Sequence, residues 1–157
     1  MKRILCLLLA SASLAACGGG SEPAAPASAP AGALTPAQRQ ALVASLPAPY
    51  NAGDVENGRR QFGTCRSCHT LVEGGPELVG PNLWGVFGRA AATHGGYEYS
   101  QPLRNSGIVW TPEEMDRWLE NPRARVPGTK MVYAGVRDPI RRRDLIAYLR
   151  AETSPAP

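Results

Sequence analysis

Two cysteines and a histidine lie within one short stretch of the chain, Cys65-Arg66-Ser67-Cys68-His69. These residue types at this spacing suit a redox dithiol, half of a zinc site, or the attachment of a larger cofactor. Zinc prefers four ligands, commonly from two pairs, and a thioredoxin-like dithiol needs a strand–helix context in a parallel sheet. The sequence shows neither a second suitable cysteine pair nor that context. The Cys-x-x-Cys-His pattern is typical of c-type haem attachment. It predicts one haem c bound through thioethers to Cys65 and Cys68, with His69 as a ligand to its iron.

The ligand on the other side of the iron cannot be chosen from residue types alone. The candidates are Met115, Met131 and His94. Met115 falls on an amphipathic stretch, which favours ordinary core packing, and His94 lies in THGG, which favours an exposed loop. Met131 lies in a loop that also contains Pro127 and Gly128. A loop can bring a thioether to the haem, although a loop methionine more often fills space.

The first residues of the chain carry a secretory pattern. Lys2 and Arg3 precede the apolar run ILCLLLA, and the small residues SASLAAC follow. This order is typical of a signal peptide, and the run is too short to span a membrane comfortably; a buried N-terminal helix is the alternative. The stretch Leu14-Ala15-Ala16-Cys17 resembles the bacterial lipobox, which implies a lipoprotein signal peptide over residues 1–16 and lipidation of Cys17. Cleavage by ordinary signal peptidase, leaving a free soluble protein, stays open, as does the identity of the membrane.

Residues 17–52 are expected to form a tether between the lipid and the folded domain. The first half of this segment is almost entirely Gly, Pro, Ala and Ser, which cannot bury an apolar face. A short helix is predicted near residues 36–46, because Thr35 can cap it, Pro36 fits its first position and Gln38 completes a capping box. The sequence leaves open whether this helix packs on the domain or only stiffens the tether.

A compact domain is predicted over residues 53–152, followed by a tail over residues 153–157. Helices are expected in three places: after Asp54 through VENGRRQFGTC, from Thr111 to Asn121 with Glu114 completing a capping box, and from Asp138 through RRRDLIAYLRA. No stretch alternates apolar and polar residues over the length of a strand, so the predicted fold class is all-α with long loops. These helices contain too few apolar residues to build a core by themselves. Small domains of this kind usually need a covalent cross-link or a large cofactor to complete the core.

The whole of this domain resembles a class I cytochrome c, of the mitochondrial type and its small bacterial relatives. The resemblance rests on CRSCHT, GPNLWGVFGR, GIVWTPEEM, WLENPRARVPGTKMVYAGV and RRDLIAYLR, in that order. It implies three main helices and long loops wrapped around one covalently attached haem. Gly58 and Phe62 would then lie on the face of the first helix that crosses the last helix at Leu145 and Tyr148.

The resemblance also implies roles for residues around the haem. Met131 would be the distal iron ligand, and the Pro81 carbonyl would accept a hydrogen bond from the second nitrogen of His69, a role expected beside any metal-bound histidine. The positions that hold or screen a haem propionate, or lie near that pocket, are matched by Arg89, Tyr99, Trp110 and Thr129.

The chain departs from the family pattern at two positions. Trp118 stands where the family usually has a tyrosine whose hydroxyl reaches the methionine sulfur, and Leu103 stands where an asparagine is common. Both departures remove polar groups near the distal side, so we expect an altered hydrogen-bond network and a shifted reduction potential. The alternative for Trp118 is a core aromatic that only fills space.

Ligation by histidine and methionine leaves the iron without an open position and favours the reduced metal. The expected function is therefore one-electron transport between respiratory or photosynthetic complexes, on the periplasmic side of a bacterial membrane, and not enzymatic catalysis. The alternatives are a dedicated cytochrome subunit of a periplasmic dehydrogenase, a ligand-binding sensor or peroxidase with an open iron site, and a lipoprotein whose motif binds nothing.

The family implies docking through basic residues around the haem edge. The matching residues are Arg60, Arg123, Lys130 and Arg137. The net charge of the chain is only +4, so attraction of partners would come from this local patch and would weaken with salt. The expected partners are redox proteins such as a terminal oxidase or a quinol-oxidising complex; nucleic acid is not expected, and the protein is expected to be a monomer.

Overall fold

A computed structural model describes residues 34–155. The predicted signal peptide, Cys17 and most of the tether lie outside the described residues, as do residues 156 and 157. The described part is helical, in this order: α1 Pro36–Ala44, a short 3₁₀ helix Tyr50–Ala52, α2 Val55–Phe62, α3 Gln101–Arg104, α4 Pro112–Glu120, α5 Pro122–Arg125 and α6 Pro139–Glu152. Within it, the one strand-like pairing outside the helices is the antiparallel bridge between Ala90 and Val109. The all-α prediction is confirmed.

The predicted start of each main helix agrees with the capping geometry. The Asp54 carboxylate accepts from the Asn57 amide at the start of α2. At α1, Thr35 and Gln38 form the predicted capping box, with Oγ1 of Thr35 accepting from the Gln38 amide at 3.2 Å and Oε1 of Gln38 accepting from the Thr35 amide at 2.8 Å. These caps form because each satisfies a backbone N–H that the first turn of a helix leaves without a partner.

Two local predictions were wrong in detail. Helix α2 ends at Phe62 and not at Cys65, because the chain turns at Gly63, a poor helix former, and continues in tight turns. At α4, Thr111 caps the Glu114 amide as predicted. The Glu114 carboxylate does not complete a capping box, because it binds the guanidinium of Arg125 at 2.8 Å.

Helix α6 is the centre of the fold and is packed on several sides. Helix α2 crosses it where Gly58 meets the Asp144 carbonyl and the Tyr148 side chain, and the rings of Phe62 and Tyr148 lie 5.6 Å apart. The predicted crossing of the first and last helices is thereby confirmed. Leu145 is 1% exposed, so the predicted apolar stripe faces the core. The absence of a side chain at Gly58 is what lets the two backbones approach.

Helix α4 is joined to α6 by a partly buried ion pair. The Arg142 guanidinium, in the first turn of α6, donates to Asp116 on α4 at 2.7 Å and to the carbonyls of Val136 and Arg137 at 2.9 Å each. A buried guanidinium is tolerated because these acceptors satisfy its donors. The contact fixes the end of the loop that contains Met131 relative to α6.

Residues outside the predicted domain boundaries pack against the domain at both ends. Helix α1 packs on α6 through Val43, which lies against Ala147 and Ala151, and Leu46 enters the main core. At the other end, Thr153 is fully buried, and its carbonyl accepts from the Gly85 amide at 2.6 Å. The sequence did not reveal these contacts, since each joins residues far apart in the chain.

The remaining described residues form loops around one apolar core. The buried side chains that define this core include Val86, Leu103, Ile108, Trp110, Met115, Trp118, Leu119 and Val126. The short helices α3 and α5 lie within loops and were not predicted. No helix within residues 34–155 has both the length and the apolar character needed to cross a bilayer.

Candidate functional site

A largely apolar cavity of about 320 Å³ opens in the middle of the core. Its volume is in the range of small-molecule and cofactor sites. Cys65, Cys68 and His69 line it together with Met131. Side chains from α2, α4, α6 and the loops complete its walls, so residues separated by more than half of the domain meet in one place. The fold therefore brings together the residues to which the sequence analysis assigned haem attachment and iron ligation.

The two cysteines and the histidine are presented by consecutive turns that follow α2. The Cys65 amide donates to the Phe62 carbonyl at 2.8 Å, and the amides of Cys68 and His69 donate to the Cys65 carbonyl at 3.0 Å each. Both sulfurs are half-buried, and they are not joined to each other in a disulfide. Burial raises the pKa of the Cys65 thiol, against the opposing effect of a contact with Thr64. Compact turns of this kind place both sulfurs and the imidazole on one side of the backbone segment.

The His69 ring is held in one tautomer. Its Nδ1 lies 2.7 Å from the Pro81 carbonyl, and because a carbonyl only accepts, Nδ1 carries the proton and Nε2 keeps its lone pair. Burial lowers the pKa of His69, against the opposing effects of the Pro81 carbonyl and Glu77. A neutral imidazole with a free Nε2 is the form that binds a metal. A β-carbon at Gly80 would overlap the His69 ring, so glycine is required where the chain passes over the imidazole.

The three candidates for the second iron ligand have different surroundings. Met131 is half-buried in a loop, lines the cavity, and donates its amide to the Thr129 hydroxyl at 3.3 Å. Met115 also lines the cavity, but from α4 with a 5% exposed side chain that belongs to the core. His94 is outside the cavity wall. Its ring nitrogens contact Glu77 and Arg89, so the expectation of an exposed loop histidine was wrong.

Relatives in other organisms share this domain over most of their length. Over 109 residues, 69% of this chain and 86% of the relative, it is 42% identical to a cytochrome c2 of Blastochloris viridis. It is 44% identical to a cytochrome c of Guizotia abyssinica, over 66% of this chain and 94% of the relative. It is 41% identical to a cytochrome c of Kluyveromyces lactis, over 66% of this chain and 96% of the relative. No protein-family profile matches the chain.

The chain belongs to the class I cytochromes c. A class I cytochrome c is an electron-transfer protein with one covalently attached haem c, and it is not an enzyme. The sequence-based expectations of family, fold and cofactor are thus confirmed, together with electron transfer as the function.

The cavity of this cytochrome fits a haem in two respects: its side chains include suitable iron and thioether ligands, and its wall contains a polar group that needs a partner. The donor set of two thiols, an imidazole and a thioether is the set that c-type haems use. Ser100 supplies an independent observation, since its Oγ is buried and has no hydrogen-bond partner within the described chain. This serine lines the cavity and stands at the N-cap of α3 without capping that helix. A polar group of the cofactor would satisfy the hydroxyl. Sequence reasoning missed Ser100, and its position directly after Tyr99 was the one available signal.

The residues matched to the propionate region all line the same cavity. They are Arg89, Tyr99, Trp110 and Thr129. Burial lowers the pKa of Arg89, against the opposing effects of Tyr99 and Glu77, and burial raises the pKa of the Tyr99 phenol. Arg89 is fixed by a hydrogen bond of 2.8 Å from Nη1 to the Trp84 carbonyl. The cytochrome therefore has a rigid cation in the cavity wall.

The two positions that depart from the family pattern are apolar walls of this cytochrome's cavity. Trp118 is 7% exposed and stacks edge to face on Trp110, with ring centroids 5.4 Å apart. Leu103 is 8% exposed on α3. Trp118 thus has the packing of a core aromatic.

The four predicted docking residues are all exposed, but they differ in whether they line the cavity. Lys130 lines the cavity and donates from Nζ to the Glu98 carbonyl at 2.7 Å. Arg60, Arg123 and Arg137 are exposed and do not line the cavity. Two exposed valines, Val79 and Val132, also belong to the cavity lining. The rim of the cavity therefore combines one lysine with apolar side chains.

Proposed function

We propose that this cytochrome is a one-electron carrier that uses a haem ligated by His69 and Met131, and that it is tethered to the periplasmic side of a bacterial membrane. The observation that supports the ligand assignment is the shared cavity, whose wall contains both side chains and both haem-attachment cysteines. The proposal for the tether rests on the sequence of the first residues.

When bound, the haem supplies an iron that takes up and releases single electrons, and a thioether ligand favours its reduced state. The chain's own residues do the rest. The Pro81 carbonyl holds the His69 ring in its metal-binding tautomer, and the apolar wall from Val86, Leu103 and Trp118 keeps water out. A dry, rigid pocket limits the rearrangement that accompanies a change of charge.

An absorption spectrum separates the carrier from the alternatives. We expect protein from a host that matures c-type cytochromes to keep its pigment in acidic acetone, because thioethers are not broken by that solvent. In the ferric state we expect the red-edge band that marks methionine ligation. A pigment that extracts would contradict the attachment, and a missing red-edge band at neutral pH would favour a sensor or peroxidase with an open iron site.

The tether would begin at a lipidated Cys17. The sequence Leu14-Ala15-Ala16-Cys17 and the Gly-, Pro- and Ala-rich segment after it support this proposal. An anchored carrier stays close to membrane complexes, which raises its effective concentration there. Incorporation of labelled palmitate by the wild type and its loss in Cys17→Ser would support the anchor. Equal release of both proteins without detergent would contradict it.

The partners would be membrane redox proteins such as a terminal oxidase or a quinol-oxidising complex. Lys130 at the cavity rim supports docking there, with Arg60, Arg123 and Arg137 as further cations. Electrostatic attraction of this kind weakens as salt is added. Lys130→Gln should slow the bimolecular reaction with an acidic redox partner and flatten its salt dependence. Arg141→Gln, which removes an exposed cation outside the proposed patch, is the matched control; equal effects would place docking elsewhere.

A further inference from the structure

His94 lies between two charged side chains from different parts of the loops. Its Nε2 is 2.7 Å from Oε1 of Glu77, and its Nδ1 is 3.3 Å from Nη1 of Arg89. The side chains of His94 and Glu77 are 26% and 25% exposed, so the contacts are partly shielded from water. These three residues are called the His94 clamp below.

The hydrogen-bonding roles of Glu77 and Arg89 determine the tautomer of His94. A carboxylate only accepts hydrogen bonds and a guanidinium only donates them. Nε2 must therefore carry a proton toward Glu77, and Nδ1 must offer its lone pair to Arg89. The neutral imidazole with its proton on Nε2 satisfies both contacts at once.

Each end of the clamp reaches a part of the haem site. Oε2 of Glu77 accepts from the Asn82 amide at 2.8 Å, directly after Pro81, whose carbonyl holds His69. Arg89 lines the cavity, and its Nη1, the nitrogen that contacts His94, also donates to the Trp84 carbonyl at 2.8 Å. His94 thus connects the segment that orients the iron-binding imidazole with the cation in the cavity wall.

A proton added to Nδ1 of His94 would change one contact and keep the other. Nδ1–H would then face a guanidinium N–H, so two donors and two positive charges would meet at the Arg89 contact. The contact with Glu77 would become an ion pair. We propose that neutral His94 helps to hold Arg89 in the cavity wall, that protonation of Nδ1 breaks this contact while the Trp84 carbonyl keeps Arg89 in place, and that the added positive charge links the reduction potential to pH.

The charged groups around His94 set the direction of the linkage. Glu77 and Arg89 face the His94 ring directly. Tyr99 and Arg104 are the next groups outward, since Arg89 interacts with Tyr99, and Tyr99 with Arg104. An oxidised haem is one charge more positive than a reduced haem, so it is disfavoured more strongly by a cationic His94. The potential should therefore be higher at low pH and fall through one step as the pH rises. This inference depends on the haem and not on the membrane tether.

The wild-type holoprotein allows a direct test by ¹⁵N NMR of histidine. The chain has two histidines, and His69 is assigned to the iron, so the titrating ring is His94. We expect the Nε2–H tautomer above the titration step. An Nδ1–H tautomer, or a ring that stays neutral across the pH range in which histidines change charge, would overturn the proposal. This measurement does not depend on electron-transfer activity or on any variant.

Potentiometry of variants tests the link to the haem. His94→Gln can donate to Glu77 and accept from Arg89 without titrating, so its potential should lose the pH step while its ferric spectrum stays unchanged. Glu77→Gln should move the step to lower pH, because the carboxylate that favours the cation is gone. Glu73→Gln, an exposed charge in the same loop, should keep the wild-type step. A full step in His94→Gln would overturn the proposal even if the electron-carrier function holds.

Discussion

Tyr148 packs against Gly58 so closely that a β-carbon at residue 58 would lie 2.6 Å from Cβ of Tyr148. The same β-carbon would overlap the Asp144 carbonyl on α6. The backbone of α6 cannot move away, because Ala147 and Ala151 on another side of the helix are packed against α1. The crossing of α2 and α6, which leads directly into the cysteine turns, therefore depends on this glycine.

We expect Gly58→Ala to destabilise the protein. Alanine would gain about 1 kcal/mol of helix propensity, but overpacking costs about 1–3 kcal/mol and more where backbone must move. Chemical denaturation of the holoprotein should show a net loss. Gly95→Ala is the matched control, since a β-carbon there meets nothing within 4 Å, and it should change the free energy of unfolding by no more than about 0.5 kcal/mol.

The second prediction concerns acid stability and Asp144, which is 2% exposed. Burial would raise the pKa of this carboxyl. Hydrogen bonds from Asn57, the Asp54 amide and Arg143 outweigh burial and lower the pKa. A lowered pKa in the folded state means that the stabilisation is present above the unfolded pKa of about 3.9 and is lost as the pH falls through the folded value.

Asp144→Asn should therefore lose stability at neutral pH, by about 1.5–3 kcal/mol for hydrogen bonds to a charged group. The difference between wild type and variant should shrink as the pH falls below 4, as urea titrations at several pH values would show. A difference that stays constant with pH would contradict the role of the ionised carboxylate. The exposed Glu73→Gln serves as the control for loss of one negative charge.

The third prediction separates the two methionines of the cavity. Met131→Ala should lose the red-edge ferric band, bind cyanide and carbon monoxide, and have a lower potential, because the soft thioether stabilises the reduced iron. Met115→Ala should keep the band and lose about 2–5 kcal/mol of stability, as expected for a truncated core methionine. Spectra, ligand titration and denaturation measure all of these. Reversed results would move the iron ligand to Met115.

The fourth prediction tests whether the segment around α1 belongs to the folded domain. Leu46 is 7% exposed and belongs to the same core as Trp110 and Met115. Leu46→Ala should cost about 2–5 kcal/mol, measured by denaturation of the holoprotein. Gln40→Ala, on the exposed side of α1, should have almost no effect. If Leu46→Ala were equally neutral, this segment would act only as part of the tether.

Some features of this protein could be predicted because the interactions that cause them are local. The caps at Thr35, Asp54 and Asp138 depend on a side chain and an amide two or three residues away. The Cys-x-x-Cys-His motif is equally local, since its cofactor requires only the spacing of the three residues. Family motifs extended this reading to Pro81 and Met131, which no local pattern could have paired with His69.

The sequence by itself determined helices α1, α2, α4 and α6, the haem motif and the family, because periodicity, capping and motif spacing depend on neighbouring residues. The tertiary structure alone decided that α1 packs on α6, that Thr153 is buried, that the Ser100 hydroxyl faces the cavity without a partner, and that His94 lies between Glu77 and Arg89. The type of a side chain indicates what kind of neighbour it needs: an apolar side chain needs apolar contacts, and a polar one needs hydrogen-bond partners. Which distant residue becomes that partner depends on how the loops close around the core.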